Sequence, residues 1–462
     1  MSALLCSRRH SLLTGIAAAM VIAVSACSAA APSEPTAGHP VAGAFDAPAD
    51  APLEVFLFEG GYGATYADSF IDVYRSTLPG SRVAVHAVQE IATQLQPRFV
   101  AGDPPDVIDN SGAAIELTTL VGSGQLYDLG ELLSAASLDD PGTKIQDTLT
   151  AGAVETGTFG DRFVALPYVN TVFGLWYSQA LFDEKGWEVP RTWAEFLALG
   201  EKAADRGIAL IAYPGQAIGY AGDMWVGLAG KEGGIDVLRD LDNLEPGAWS
   251  DPAVVAAFDA LAELHERGMV LYGSEALTHT EAQTSFVLGE ALFYPCGSWL
   301  ENEMKKVTPE GFEMGVAPYP LLSPDAVLDA SAVEVTPREL FIVPAEAKNP
   351  RGGLEFLRSM LSRRAAHDFS QLTGAPTVVK GALDDAHMPP GLASAIGLID
   401  AATETDLQVH FRAWYPDLRT AWFEALADVL TGRADAQTVS EQLQRVADEV
   451  RADKDIVKYT RE

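Results

Sequence analysis

The chain has little cysteine, little positive charge and no recognisable catalytic motif. Its 462 residues include three cysteines, Cys6, Cys27 and Cys296, too few for a disulfide-stapled scaffold. Lysine and arginine total 31 against 64 acidic residues, a formal net charge of −33. That balance excludes nucleic acid as a partner, because cationic side chains supply the dominant binding term there. It equally disfavours adhesion to an anionic bilayer by charge. Most of the carboxylates read as solvated surface and specify no ligand. No H-E-x-x-H, paired C-x-x-C or G-x-S-x-G is present. Glu232 follows Gly230-Lys231 where a phosphate loop needs Ser or Thr, and Gly61-Tyr62-Gly63 lacks the third glycine of a dinucleotide fingerprint. The histidines, at 10, 39, 86, 265, 279, 367, 387 and 410, are scattered without metal-ligand spacing. The expectation is therefore no metal, no cofactor and no catalytic residue.

What is present begins at the N-terminus. Arg8 and Arg9 precede an apolar run over residues 12–24, and small residues lead to Cys27. This is the layout of a secretory signal peptide over 1–26. The run is shorter than the ~20 residues that span a bilayer. Val24-Ser25-Ala26-Cys27 resembles a lipobox, which implies lipidation of Cys27 after cleavage, and Ser7-Arg8-Arg9-His10 also suggests a twin-arginine export signal. The expected location is the outer face of the cell membrane. Cleavage removes Cys6 and two arginines, which leaves the mature chain near −35. With Cys27 lipidated, Cys296 has no disulfide partner and reads as a small buried residue. Residues 28–51 are mostly Ala, Pro, Ser, Gly and Thr; they cannot build a core and read as a disordered tether behind the anchor.

About 410 residues remain, too many for one ordinary core, so two lobes are expected. Short apolar runs alternate with amphipathic helical patterns, which predicts an α/β class. Strands are predicted over 53–58, 83–88 and from 106. Helix starts are marked by a Thr192/Glu195 capping box, by Asp251-Pro252, by Asn349-Pro350 and by a second capping box at Thr438/Glu441.

Open α/β sheets bind ligands at the carboxyl ends of strands. A sugar offers an apolar C–H face and a rim of hydroxyls, so its site needs flat aromatic rings and side-chain amides, carboxylates or guanidinium groups. Five places carry that mixture: Glu59-Gly-Gly-Tyr62, Asp109-Asn110-Ser111, Tyr168-Val-Asn170-Thr171, Gly297-Ser-Trp299-Leu-Glu301-Asn302 and Arg412-Ala-Trp414-Tyr415. For each ring, core packing is the competing explanation.

At these residues the chain resembles a known family. Pro190-Arg-Thr-Trp193-Ala-Glu-Phe196, Ala165-Leu-Pro167 with Leu175-Trp-Tyr177-Ser, and Phe411-Arg-Ala-Trp414-Tyr415-Pro-Asp-Leu-Arg419 are similar to extracellular sugar-binding proteins of ABC importers. Leu277-Thr-His-Thr-Glu-Ala-Gln283, Pro295-Cys-Gly-Ser-Trp-Leu-Glu-Asn-Glu-Met304 and Asp242-Asn-Leu-Glu-Pro-Gly-Ala-Trp249 resemble the actinobacterial N-acetylglucosamine/N,N′-diacetylchitobiose-binding lipoproteins. Tyr213 to Trp225 and Ser331 to Arg338 depart from that subgroup. The resemblance implies a periplasmic-binding-protein-like type II fold, two lobes joined by a hinge with the ligand cleft between them. It places 52–165 plus 330–374 in the first lobe and 166–329 plus 375–462 in the second.

It further implies a monomer that delivers a small carbohydrate to importer permease subunits, without chemistry. Trp299 and Trp414, then Tyr415 and Tyr62, are the implied stacking platforms. Asn110, Asn170, Thr171, Gln216, Glu301, Asn302 and Glu339 are the implied polar partners. The competing readings are a different sugar, an exported glycoside hydrolase using Glu301 and Glu339, and an adhesin or sensory lipoprotein on the same fold.

Overall fold

The computed structural model describes residues 41–383 and 388–461, with the side chains of 41 and 42 left aside. The signal peptide, Cys27, most of the expected tether and His387 lie outside the described residues; the last part of that segment is not a free tether, because Phe45 and Ala47 are buried in the apolar cluster that holds Leu53 and Val55.

The first strands follow the predicted apolar runs. β1 (Pro52–Phe58) pairs in parallel with β2 (Arg82–Val88) and with β3 (Val107–Asp109). Helices Ala67–Thr77 and Ile91–Val100 make the two crossovers, the connection that parallel strands require. β4 is long, Leu166–Ser178, and fully buried over most of its length. β5 (Ala209–Ile211), β6 (Ala291–Gly297), β7 (Met314–Ala317) and β8 (Glu334–Ile342) complete the sheet. Its order is β2-β1-β3-β8-β4-β6-β5, with β7 added against β4.

β4 and β8 run side by side from one apolar cluster to another. They run antiparallel from Glu334 opposite Phe173 to Phe341 opposite Leu166. Leu166, Tyr168 and Val169 sit in an apolar cluster with β1, β3 and the helix Pro350–Met360, whereas Leu175 sits in another with the helices of 193–264 and 411–450. Each strand thus begins in one lobe and ends in the other. Residues 375–382, expected with the second lobe, pack in the first: Ala375, Val378, Val379 and Ala382 join its cluster. The Val378 N–H donates to Tyr168 O and the Asn170 N–H to Pro376 O, which lays this segment along the first half of β4.

The helix-start signals of the sequence act as caps. Thr192 and Glu195 form a reciprocal capping box, and Asp251 and Asn349 each cap a helix with Pro at its first turn. The start expected at Thr438 is corrected. Asp435 accepts from the Thr438 N–H, and the helix Ala436–Ala452 begins one turn earlier. Aspartate is as good an N-cap as threonine, and taking it gains a further helical turn. Cys296 is 1 % exposed, on β6. Among the described residues no helix is long and apolar enough to cross a membrane.

The C-terminus closes the second lobe. The Arg461 guanidinium bonds the Asp242 carboxylate at 3.0 Å and that of Asp406 at 2.8 Å, and Asn243 brackets the Arg461 backbone. Asp242 is fully buried, and burial raises its carboxyl to about 6 against the pull of Arg461. Arg461→Ala strands that carboxylate and should cost ~2 kcal/mol. Chemical denaturation checks this; an unchanged midpoint would show that Asp242 has another counter-charge.

Candidate functional site

The site is built where β4 and β8 cross between the lobes. Buried polar side-chain atoms almost always find partners, yet four without one gather in this region: Tyr62 Oη, Thr171 Oγ1, Glu334 Oε2 and Arg338 Nε. A polar ligand placed here would find groups able to bond it.

Trp299 stands on the wall from the second lobe. It follows β6 at the start of the helix Leu300–Met304 and is partly exposed. Phe173 and Tyr220 meet it edge to face, with ring centroids at 5.6 and 5.7 Å and interplanar angles of 79° and 89°. Glycine makes this placement possible. A Cβ on Gly297 would lie 2.0 Å from the Trp299 ring, and one on Gly61, in the loop after β1, would lie 3.0 Å from Trp299 Cβ. The Asn302 amide donates to Gly61 O at 2.6 Å. At the rim Arg419 bonds Glu116 at 3.0 Å. Both contacts join the lobes across the cleft.

Close to Trp299 in the chain path lies a buried acidic group. Tyr62 is 8 % exposed, and its hydroxyl points toward Ser298, Thr171 and Glu339. Burial pushes the phenol well above its ordinary range. Glu339 takes a left-handed φ of 55° inside β8. A non-glycine residue there is strained, and such strain is retained chiefly at functional sites. Its carboxyl and that of buried Asp109 share the Ser111 hydroxyl. Burial raises both carboxyls, and each charge opposes the other at Asp109.

Beside this pair runs a second charge cluster. Arg412 ion-pairs with Asp223 and stands 3.5 Å from Glu334. Arg338 lies 3.8 Å from Glu334 and 4.0 Å from Asp223, with its guanidinium 4.6 Å above the Phe173 ring. Burial lifts the Glu334 carboxyl to about 7 despite both arginines.

The structure brings Tyr62, Thr171, Trp299, Asn302 and Glu339 together and assigns other tasks to the rest. Asn110 spends its amide on the backbone N–H and C=O of Ile115, both at 2.9 Å, which closes the loop after β3. Asn170 is tied to Thr150 Oγ1 at 2.9 Å. Gln216 is exposed on a short turn and donates to Ala276 O. Trp414 is partly exposed, as Trp299 is, with His410 stacked on it at 5.1 Å and Tyr459 tilted against it at 5.5 Å. Tyr415, expected as a platform, is 1 % exposed with its hydroxyl on the Tyr459 backbone, so it offers no free face. It packs as core because the C-terminal tail returns across it.

Glu301 is also redirected. Its carboxylate accepts from the Gly391 and Leu392 N–H groups at 2.9 and 3.2 Å, and so caps the helix Pro390–Ala401. Glu301→Ala should therefore lower stability by ~1 kcal/mol and leave ligand affinity within about threefold. Calorimetric melting and titration separate the two effects.

Sequence reasoning missed Phe173, Asp223, Glu334 and Arg338. Three of them carried a signal. Glu334, Thr336 and Arg338 alternate along a strand and share one face. Tyr220 and Asp223 sit three apart on the helix Gly219–Gly233, one face again. Among the described residues no group of acidic, histidine or cysteine side chains could hold a metal ion.

Comparison with known proteins agrees with this architecture. The chain is 38 % identical to the diacetylchitobiose binding protein NgcE of Streptomyces coelicolor over 97 % of both chains. It is 22 % identical to a multiple sugar-binding protein of Streptococcus mutans, over 67 % of this chain and 71 % of that one. Among solved structures, a chitin oligosaccharide binding protein superposes with a TM-score of 0.69 at 18 % identity, covering 87 % of this chain and 98 % of the other. The solute receptor AcbH superposes with a TM-score of 0.70 at 17 % identity, covering 86 % and 99 %. With residues 59–367 matching the family profile, the chain belongs to the bacterial extracellular solute-binding proteins.

Proposed function

We propose that this protein captures N-acetylglucosamine or a small chito-oligosaccharide for an ABC-type importer. The observation that carries this reading is the full-length match to a protein named for binding diacetylchitobiose. The site supports it. Trp299 supplies an aromatic wall for a sugar's C–H face, and Tyr62, Thr171, Asn302 and Glu339 supply polar groups for its rim. Capture proceeds by closure of the lobes about β4 and β8, and importer subunits recognise the closed, loaded form. We assign the first lobe to 52–165 plus 330–374, extended to take in 375–382, and the second lobe to the remainder of the folded chain.

The protein is a solute-binding protein and not an enzyme, as its family is. The carboxylate pair considered for hydrolysis is also divided between tasks, because Glu301 caps a helix. Titration calorimetry against N-acetylglucosamine, chitobiose, maltose, cellobiose and xylobiose tests the sugar. Saturable heat with either of the first two is expected; none with those, and binding of another, would replace the sugar while keeping the fold. A different sugar is the second reading, since a receptor with a preference for galactopyranose shares this fold.

The chain is exported, as its family is. We further propose anchoring by lipid on Cys27, which rests on the Val24-Ser-Ala-Cys27 sequence. Cys27→Ser should move the protein from the detergent phase to the aqueous phase of a detergent partition, with ligand affinity unchanged. Wild-type protein found in the aqueous phase would remove the anchor from the proposal.

A further inference from the structure

Arg338 is an arginine with nothing to donate to. Among the described residues no acceptor lies within hydrogen-bond distance of its guanidinium; its two nearest carboxylates, on Glu334 and Asp223, stand at 3.8 and 4.0 Å. It is not a surface side chain. The Phe173 ring supports its flat face from 4.6 Å, and one third of the side chain remains accessible. A guanidinium seated on a ring with that much accessible area can be reached by a ligand. Its neighbour Arg412, by contrast, is anchored directly on Asp223.

An arginine carries donors only. It therefore prefers a ligand atom that only accepts, namely a carbonyl or an anionic oxygen. A hydroxyl placed there brings a hydrogen that needs an acceptor of its own. Between the two acceptor classes, the surroundings decide. Asp109, Asp223, Glu334 and Glu339 crowd the same region against Arg338 and Arg412 alone. An anionic ligand would add charge to a site already rich in carboxylates, at a cost that enclosure enlarges. A neutral carbonyl adds none. The adjoining Trp299–Tyr220–Phe173 corner has perpendicular walls, a shape suited to a compact apolar group such as a methyl. Carbonyl and methyl side by side describe an acetamido group.

Resting on the sugar-binding reading above, we infer that Arg338 selects the 2-acetamido substituent, its guanidinium donating to the amide oxygen while the acetyl methyl enters the corner beside Trp299. Phe173, Asp223 and Glu334 are positioning residues that hold the guanidinium flat and aimed.

The test compares sugars of one linkage that differ at this substituent. Chitobiose, cellobiose and a glucuronate-containing cellobiose analogue are titrated into wild type, Arg338→Lys and Arg338→Met, with melting temperatures recorded. A hydrogen bond to a charged donor is worth roughly tenfold to a hundredfold in affinity. Arg338→Met should lose chitobiose affinity by that factor and change cellobiose affinity by less than about threefold. Arg338→Lys, which keeps the charge and stays folded if the methionine variant does not, should recover part of the loss. Equal losses for both neutral sugars, or full affinity for chitobiose in the methionine variant, would overturn the assignment. So would a wild-type preference for the glucuronate sugar, which would make Arg338 a carboxylate receptor. Failure of the underlying reading looks different: wild type would give no saturable heat with any acetamido sugar, before a variant is made.

Discussion

Replacing Trp299 by alanine should lower affinity for the bound sugar by about a hundredfold or more, with little loss of stability. An indole buries about 150–250 Å² against a partner, and aromatic contacts add further specific energy. Trp299 meets the conditions for spending that area on a ligand. It is partly exposed, and the rings of Phe173 and Tyr220 stand perpendicular to it. Trp414→Ala is the matched control. Its ring packs on His410 and Tyr459, so the loss should appear in the melting temperature and leave affinity within about threefold. Calorimetric titration of both variants decides the matter. A large affinity loss for Trp414→Ala with none for Trp299→Ala would exchange their roles.

Arg412→Ala should be the most destabilising change in the cleft region, by about 3–5 kcal/mol, because it leaves buried carboxylates without their principal counter-charge. The Asp223 and Glu334 side chains are 10 % and 0 % exposed, and Arg338 reaches them only loosely. The deficit should depend on pH. Burial raises Glu334 to about 7 in the folded chain, while the unfolded chain releases that proton in the ordinary carboxylate range. Between those limits the folded state binds more protons, so this residue's contribution to stability falls as pH rises toward 7 and is level above it. Without Arg412 the carboxyl rises further, and the deficit should be larger at pH 8 than at pH 5. Urea denaturation at the two pH values measures it. A deficit equal at both would mean that Asp223 alone carries the effect. Arg412→Met with Asp223→Leu should recover much of the loss, since an apolar pair of similar volume often replaces a buried ion pair without penalty.

Much of the architecture was legible along the chain. The apolar runs at 53–58 and 83–88 and the turn residues after them specify strands by local rules, and Thr192/Glu195 and Asp251-Pro252 specify helix starts by local hydrogen bonds. Thr438 misled because a second acceptable cap, Asp435, lay three residues earlier. Two adjacent caps compete on small differences that packing of the helix decides.

The site divides differently. Composition and local sequence were enough to point to rings and polar residues after strands. They could not say which ring faces the cleft. Trp299 and Trp414 look alike in sequence, each with polar and aromatic neighbours. Both stay partly exposed, but Gly61 and Gly297 let the chain pass close beside Trp299, while His410 and, from the end of the chain, Tyr459 pack against Trp414. Likewise Arg338 and Asp223 are more than a hundred residues apart, and only the crossing of β8 beneath the helix Gly219–Gly233 sets them side by side. Secondary structure follows from interactions within a few residues, which a sequence displays. The walls of a cleft are set by contacts between distant segments, which come into being only when the lobes pack.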